Sequence, residues 1–303
     1  MTPSMIARGV IHIPLNIANA YMVETTYGWV LIDSGTAGYA HSIIRTAKGF
    51  FGSDARPLAI LLTHGHFDHA GSARELAEHW RVPLYAHRLE LPFLTGKSKY
   101  PPPDPTVGGF MANMIRFVPN KAYDFGHRVQ EFPNGPEPPS MPGWELVHTP
   151  GHTPGHVSFF RPDDRVLIAG DAFITMNQNS MLDVLTKRQQ VSPPPTYYTP
   201  DWVQAEASVK KLAALKPDVL AAGHGVPMHG ADALVQLESL AANLPIPHYG
   251  RYVQEPAVAN EEGIVHLPPP VPDPVKRAGA AIGGAALVGI TAILAGRKRR
   301  RAA

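Results

Sequence analysis

Cysteine is absent from all 303 residues. Disulfides, thiolate metal sites and a cysteine nucleophile are thereby excluded, so a bound metal would have to rest on histidine and carboxylate. Charge is sparse, at 17% of residues, and aromatics make up 8%, whereas hydrophobic residues reach 44%. That balance indicates a folded globular chain, long enough for one large domain or two small ones and for a sizeable core. The formal charge of +2 is unevenly spread: the last 28 residues carry Lys276, Arg277, Arg297, Lys298, Arg299, Arg300 and Arg301 and no acid, which leaves 20 basic against 25 acidic residues in 1–275. A mildly acidic body offers no electrostatic basis for nucleic-acid binding, and no nucleic-acid partner is expected.

An export signal is also missing from "MTPSMIARGVIHIPLN", which has no basic segment leading into a long apolar one. The expected location is therefore cytoplasmic. Long apolar runs are lacking until residues 278–296, where "AGAAIGGAALVGITAILAG" gives 19 uncharged residues followed by "RKRRR". The length suits a bilayer-spanning helix, and Gly279 and Gly283 have the spacing that lets membrane helices approach. Seven alanines and five glycines make the span weakly apolar, and the positive-inside rule would hold "RKRRR" in the cytoplasm. A membrane anchor and a basic tail lying on a surface both remain open. The proline-rich "LPPPVPDP" before it reads as a stiff linker. The expected organisation is a catalytic domain at 1–266, a linker at 267–275 and an apolar, basic tail at 276–303.

Short β-type runs open the chain, "GVIHI", "NAYMVET" and "GWVLID", followed by a helix at "YAHSIIRTAKGF" that Gly49 is expected to close. "LAILLT" is too apolar for a half-exposed strand and reads as sheet interior. "SARELAEHW" has Ser72 and Glu75 at capping-box spacing for a helix start. Residues 92–143 are proline-rich, with some helix at 108–116, and read as cover rather than core. Strands return at "WELVHT", "HVSFF", "RVLIAGD" and "PDVLAAGHG", interleaved with helices at "WVQAEASVKKLAALK" and "ADALVQLESLAANL". Strands alternating with helices indicate a layered α/β domain.

Four side chains that bind metals crowd into "THGHFDHAG" at 63–71. His64 and His66 alternate on extended chain and so face the same way, while Asp68 and His69 follow where the chain turns into a helix. Imidazole and carboxylate are the ligands zinc accepts without sulfur. Further candidates end other strands, in "HTPGHTPGH" at 148–156, "AGDA" at 169–172 and "AGHG" at 222–225, and α/β sheets gather their sites at strand ends.

The ordered set "HGHFDH", "TPGHTPGH", "GDA" and "AGHG" resembles the metallo-β-lactamase superfamily over roughly residues 8–245. The resemblance implies a four-layer αββα sandwich with two metals, zinc in the first instance and iron or manganese as substitutes. By the same resemblance His64, His66 and His152 hold one ion, Asp68, His69 and His224 the other, and Asp171 bridges. It gives Asp33 a supporting role behind the ligands and leaves His156 to hydrogen bonding. The motif wording is similar to the lactonase-like and glyoxalase II-like branch, although no large helical domain follows the last ligand. The chemistry this implies is hydrolysis of a small ester, lactone or thioester by a metal-bridging hydroxide, with Asp68 as the proton carrier. A persulfide dioxygenase-like oxidoreductase with one iron and a nucleic-acid-processing phosphodiesterase share much of this ligand set. Tyr197 and Tyr198 are read mainly as packing residues, and Phe110, Met111, Met114 and Phe117 as anchors of the proline-rich loop or a lid for an acyl chain.

Overall fold

Along the first strands the apolar side chains alternate between two destinations, and this alternation builds the layers. The computed structural model describes residues 2–117 and 123–273. One sheet holds seven strands in chain order: β1 (Ser4–Ala7), β2 (Val10–Leu15), β3 (Ala18–Thr25), β4 (Gly28–Ile32), β5 (Ile60–Leu61), β6 (Leu84–Ala86) and β7 (Val129–Glu131). β1 to β4 pair antiparallel and β4 to β7 parallel. The second sheet comprises β8 (Glu145–His148), β9 (Val157–Arg161), β10 (Val166–Gly170), β11 (Val219–Ala222) and β12 (Met228–His229), running β12-β11-β10-β9-β8. A separate hairpin joins β13 (Val258–Asn260) to β14 (Gly263–His266).

The helices are α1 (Ala40–Phe51), α2 (Phe67–Ala70), α3 (Ala73–Trp80), α4 (Leu91–Leu94), α5 (Phe110–Met114), α6 (Met181–Thr186), α7 (Trp202–Ala214) and α8 (Ala231–Ala242). Val10, Val23, Val30, Ile32 and Leu61 of the first sheet cluster with Val157, Phe159, Val166 and Ile168 of the second. Their chain neighbours Ile11, Met22, Leu31 and Ile60 turn the other way, onto Ile43 of α1 and Leu76 and Trp80 of α3. On the far side, Leu167 and Leu220 meet Val209 and Leu212 of α7 and Leu237 of α8. Helix, sheet, sheet and helix are thus stacked as an αββα sandwich. Each fully buried Leu, Ile or Val contributes roughly 1.5–3 kcal/mol to holding the layers together.

Two local expectations are corrected. Gly49 lies inside α1, which runs on to Gly52, where φ of 90° ends it in a conformation glycine tolerates. Ser72 precedes α3 but does not cap it: its hydroxyl donates to Thr36 O at 2.6 Å and accepts from Tyr39 N at 3.0 Å, tying the helix start to the chain before α1. The short elements β1, β7, β12, β13, β14 and α6 carry too little periodicity to stand out in the sequence. In the proline-rich segment, α5 falls within the helical stretch read at 108–116.

The chain divides into two units, Met1–Pro268 and Pro269–Ala303. The apolar run at 278–296 and its basic end lie outside the described residues. Among the described residues no helix is long and apolar enough to cross a membrane.

Candidate metal centre

Strand ends deliver the polar residues to one edge of the sandwich. Asp33 follows β4, His64 and His66 follow β5, His152 sits between β8 and β9, Asp171 follows β10 and His224 follows β11. Backbone hydrogen bonds fasten these ends to one another: Asp33 N to Leu61 O at 2.9 Å, Ser34 N to His69 O at 2.7 Å, Val157 N to Thr63 O at 2.9 Å and Gly223 N to Gly170 O at 2.8 Å. Close approach demands glycine at 223, where a Cβ would lie 2.6 Å from His69 Cε1 and strike Asp171 Oδ1.

The structure brings the candidates into three overlapping groups, His64 with His66 and His152, His64 with His69 and Asp171, and Asp68 with His69 and His224. Within each group the candidate ligand atoms lie within 4.8 Å of one another, and every member is buried. His66 Nδ1 stands 2.9 Å from His152 Nε2. Asp171 Oδ2 reaches His224 Nε2 at 3.0 Å, His152 Nε2 at 3.5 Å and His69 Nε2 at 3.6 Å. Asp68 Oδ2 lies 3.5 Å from His224 Nε2.

Hydrogen bonds on the outer side of the rings select the tautomers. Asp33 Oδ2 accepts from His69 Nδ1 at 2.8 Å and from the Thr63 hydroxyl at 2.7 Å, and Oδ1 accepts from Thr63 N at 2.8 Å. With its own proton committed to Asp33, the Thr63 hydroxyl accepts from His64 Nδ1 at 3.0 Å. His224 Nδ1 donates to Ile17 O at 2.5 Å. Each of these three imidazoles is left with an Nε2 lone pair turned toward the others. Among the described residues His64 Nε2, His69 Nε2 and Asp171 Oδ1 are buried with no hydrogen-bond partner. An orphaned buried polar atom ordinarily costs about 1–3 kcal/mol. Several in one place, all electron-pair donors, fit a cation.

The electrostatics divide the cluster in two. Burial, followed by repulsion from neighbouring histidines, holds His64 and His152 well below the usual imidazole range and His66 at about 3. They are neutral at physiological pH, as ligands must be. Burial works to lower His69 and His224 as well, but Asp171 and its companion carboxylates outweigh it and raise both. Burial would raise Asp171, yet His224 and His69 hold it well below the ordinary carboxylate range. His156 takes no place in the three groups. Its Nε2 accepts from Asp171 N at 2.8 Å and its Nδ1 pairs with Thr149 Oγ1 at 2.9 Å, so it braces the backbone that presents Asp171.

The Lactamase_B family, described as the metallo-beta-lactamase superfamily, has a model that matches residues 13–224. The chain belongs to that superfamily. It is 44% identical to the probable metallo-hydrolase YflN of Bacillus subtilis over 242 residues, 78% of this chain and 92% of that protein. Among solved structures, TTHA1623 in a di-iron-bound form is 28% identical with a TM-score of 0.52, over 78% of this chain and 98% of that one. The B3 metallo-beta-lactamase BLEG-1 is 26% identical with a TM-score of 0.54, over 77% and 97% of the two chains. The chain is a metal-dependent hydrolase of this superfamily, and its histidine and aspartate groups suit two ions.

Some supports escaped sequence reasoning. Asn19 Nδ2 donates to Ala222 O at 2.9 Å and Gly225 O at 2.7 Å, and Tyr21 OH donates to Ala222 O at 2.6 Å, gripping the loop that carries His224. No local signal marks them, because their partners lie some two hundred residues away. Tyr197 is buried with its hydroxyl 2.9 Å from Gln178 Oε1, a packing role. The half-buried Tyr198 places its ring 4.7 Å from that of His66. Met111 borders a cavity of about 130 Å³, together with Ile17, Met176, Val184, Lys187 and Gly225, the last being the chain neighbour of His224.

Proposed function

We propose that this chain hydrolyses a small ester, lactone or thioester with two divalent ions, zinc being the expected metal. His64, His66 and His152 hold one ion, Asp68, His69 and His224 the other, and Asp171 lies between them. The observation that carries this reading is the outer hydrogen-bonding of His64, His69 and His224, which leaves three Nε2 lone pairs converging beside Asp171. Two ions held by these residues would supply an acidified water and polarise a carbonyl.

The protein's own part is to orient and to move a proton. Asp33 and Thr63 keep His64 and His69 in the required tautomer. Asp68 takes the proton released as water adds to the carbonyl carbon and delivers it to the leaving oxygen or sulfur when that bond breaks. In the same reading residues 1–266 form the catalytic domain, 267–275 the linker and 276–303 an apolar, basic tail, with the body in the cytoplasm.

The di-iron form of TTHA1623 makes iron the alternative occupant. A one-iron oxygenase would leave Asp68, His69 and His224 idle, and their close grouping favours hydrolysis with two ions. Metal analysis joined to a panel of lactones, thioesters, β-lactams and phosphodiesters tests the proposal. About two zinc per chain and ester or lactone turnover are expected. His66→Ala and Asp171→Ala should each lose bound metal and turnover together. One iron per chain with dioxygen consumption, or undiminished hydrolysis by metal-free variants, would overturn it.

A further inference from the structure

Glu90 is wholly buried and belongs to none of the ligand motifs. It follows β6 on a short 3-10 turn, Arg88–Glu90. Its carboxylate accepts hydrogen bonds on both oxygens. Oε2 accepts from Gly65 N at 2.9 Å and from the Tyr100 hydroxyl, and Oε1 accepts from Gly155 N at 2.7 Å. Gly65 is the residue between His64 and His66, and Gly155 lies three residues beyond His152. One carboxylate therefore spans two loops that descend from different sheets, the first from β5 and the second between β8 and β9.

The approach is tight on both sides. A Cβ at Gly155 would lie 2.8 Å from Glu90 N and Cγ, and one at Gly65 would strike the Tyr100 hydroxyl and come 2.7 Å from Leu94 Cδ2. Neither glycine has a positive φ, so closeness to Glu90 and Tyr100, not backbone conformation, demands glycine there. Tyr100 adds a third restraint, since its ring meets the His66 ring at 4.7 Å and 61°. The loops are also joined by the Val157 N to Thr63 O bond. That bond acts on the His64 side, whereas Glu90 acts on the His66 side.

We propose that Glu90 is a positioning residue: its carboxylate couples the loop bearing His66 to the loop bearing His152, and so sets the approach of His66 Nδ1 and His152 Nε2, two of the three nitrogens that would hold the first ion. The inference rests on the two-ion reading of the site. Glutamate suits the task because two acceptor oxygens meet donors on both loops at once. Glutamine at 90 would turn its amide N–H₂ toward one of those donors and release a loop. The partners of metal ligands matter nearly as much as the ligands, and their loss typically weakens metal affinity 10–100-fold.

The test titrates metal-stripped full-length wild type and Glu90→Gln with cobalt(II), following d–d absorption and competition with a chelator. In the variant, one of the two equivalents should weaken about 10–100-fold with a changed absorption band, the other staying within about threefold. General loosening of the fold would move both together. Two equivalents at wild-type affinity, or an equal loss at both, would overturn the role given to Glu90. Glu90→Asp keeps the charge but draws the carboxylate back by one methylene, and serves if Glu90→Gln does not fold. It too should weaken one equivalent selectively, and unchanged binding in it overturns the proposal. A wild-type chain that takes up no cobalt would instead sink the two-ion reading itself, which separates the two failures.

Discussion

Replacing Asp33 by asparagine tests the site's organisation with almost no change of shape. Asp33 has φ of 58°, in the left-handed region that asparagine adopts readily, so the backbone gains no strain. The carboxylate accepts three hydrogen bonds, from Thr63 N, the Thr63 hydroxyl and His69 Nδ1. Asparagine offers one acceptor oxygen and one donor nitrogen in the same space. If its oxygen keeps Thr63 N, its N–H₂ faces His69 Nδ1 and forces the proton onto Nε2, the atom aimed at Asp171. If it flips, His69 keeps its tautomer but Thr63 N–H loses its acceptor. An unsatisfied buried donor costs about 1–3 kcal/mol. A wrong tautomer behind a ligand weakens metal affinity by roughly 10–100-fold, about 1.4–2.7 kcal/mol. Chelator competition on wild type and Asp33→Asn should show a loss of that size. Thermal unfolding of the metal-free proteins then separates the routes, because only the flipped amide lowers Tm, by roughly 2–4 °C per kcal/mol in a domain of this size. Metal affinity within twofold of wild type together with an unchanged Tm would refute the tautomer argument.

Other sites yield sharper or simpler outcomes. Gly223→Ala puts a methyl against Asp171 Oδ1 and His69, and overpacking of about 1–3 kcal/mol should appear as lower metal content in elemental analysis. His156→Ala removes the acceptor of Asp171 N–H, so urea unfolding should show about 1–3 kcal/mol of lost stability, and an unchanged midpoint would contradict the bracing role. His87 and His148 stack at 4.3 Å; burial first, then the neighbouring His148 and Arg88, depresses His87 from 6.5 to about 4, while burial lowers His148 against a hydrogen bond to Pro154 O that raises it. The unfolded chain therefore binds more protons than the folded one between those values, so stability should decline as pH falls from 6.5 toward 4. His87→Gln should flatten that slope in unfolding midpoints measured across pH, and identical slopes would remove the pair from the account.

The metal-binding candidates were legible because each sits in a short local pattern: "HGHFDH" on a strand end, a histidine in "TPGHTPGH", an aspartate in "GDA" and a histidine in "AGHG". The layers were legible too, since Val10 and Ile11, or Leu31 and Ile32, alternate in the chain as they do between cores. Misreadings arose where a residue's partner lies elsewhere. Ser72 looks like a helix cap, but its hydroxyl is claimed by Thr36 and Tyr39. Gly49 looks like a helix end, but two more residues of α1 follow it before Gly52 ends the helix.

By itself the sequence determined which chemical groups are available, that sulfur is not among them, and which strand ends carry imidazole and carboxylate. Only the tertiary structure decided which nitrogen of each imidazole is free and what holds it there. The reason is the range of the interactions. Side-chain alternation and strand-end motifs act over a few residues, whereas the bonds from Asp33 to His69, Ile17 to His224 and Glu90 to Gly155 span 36, 207 and 65 positions and exist only once the sheets have closed on each other.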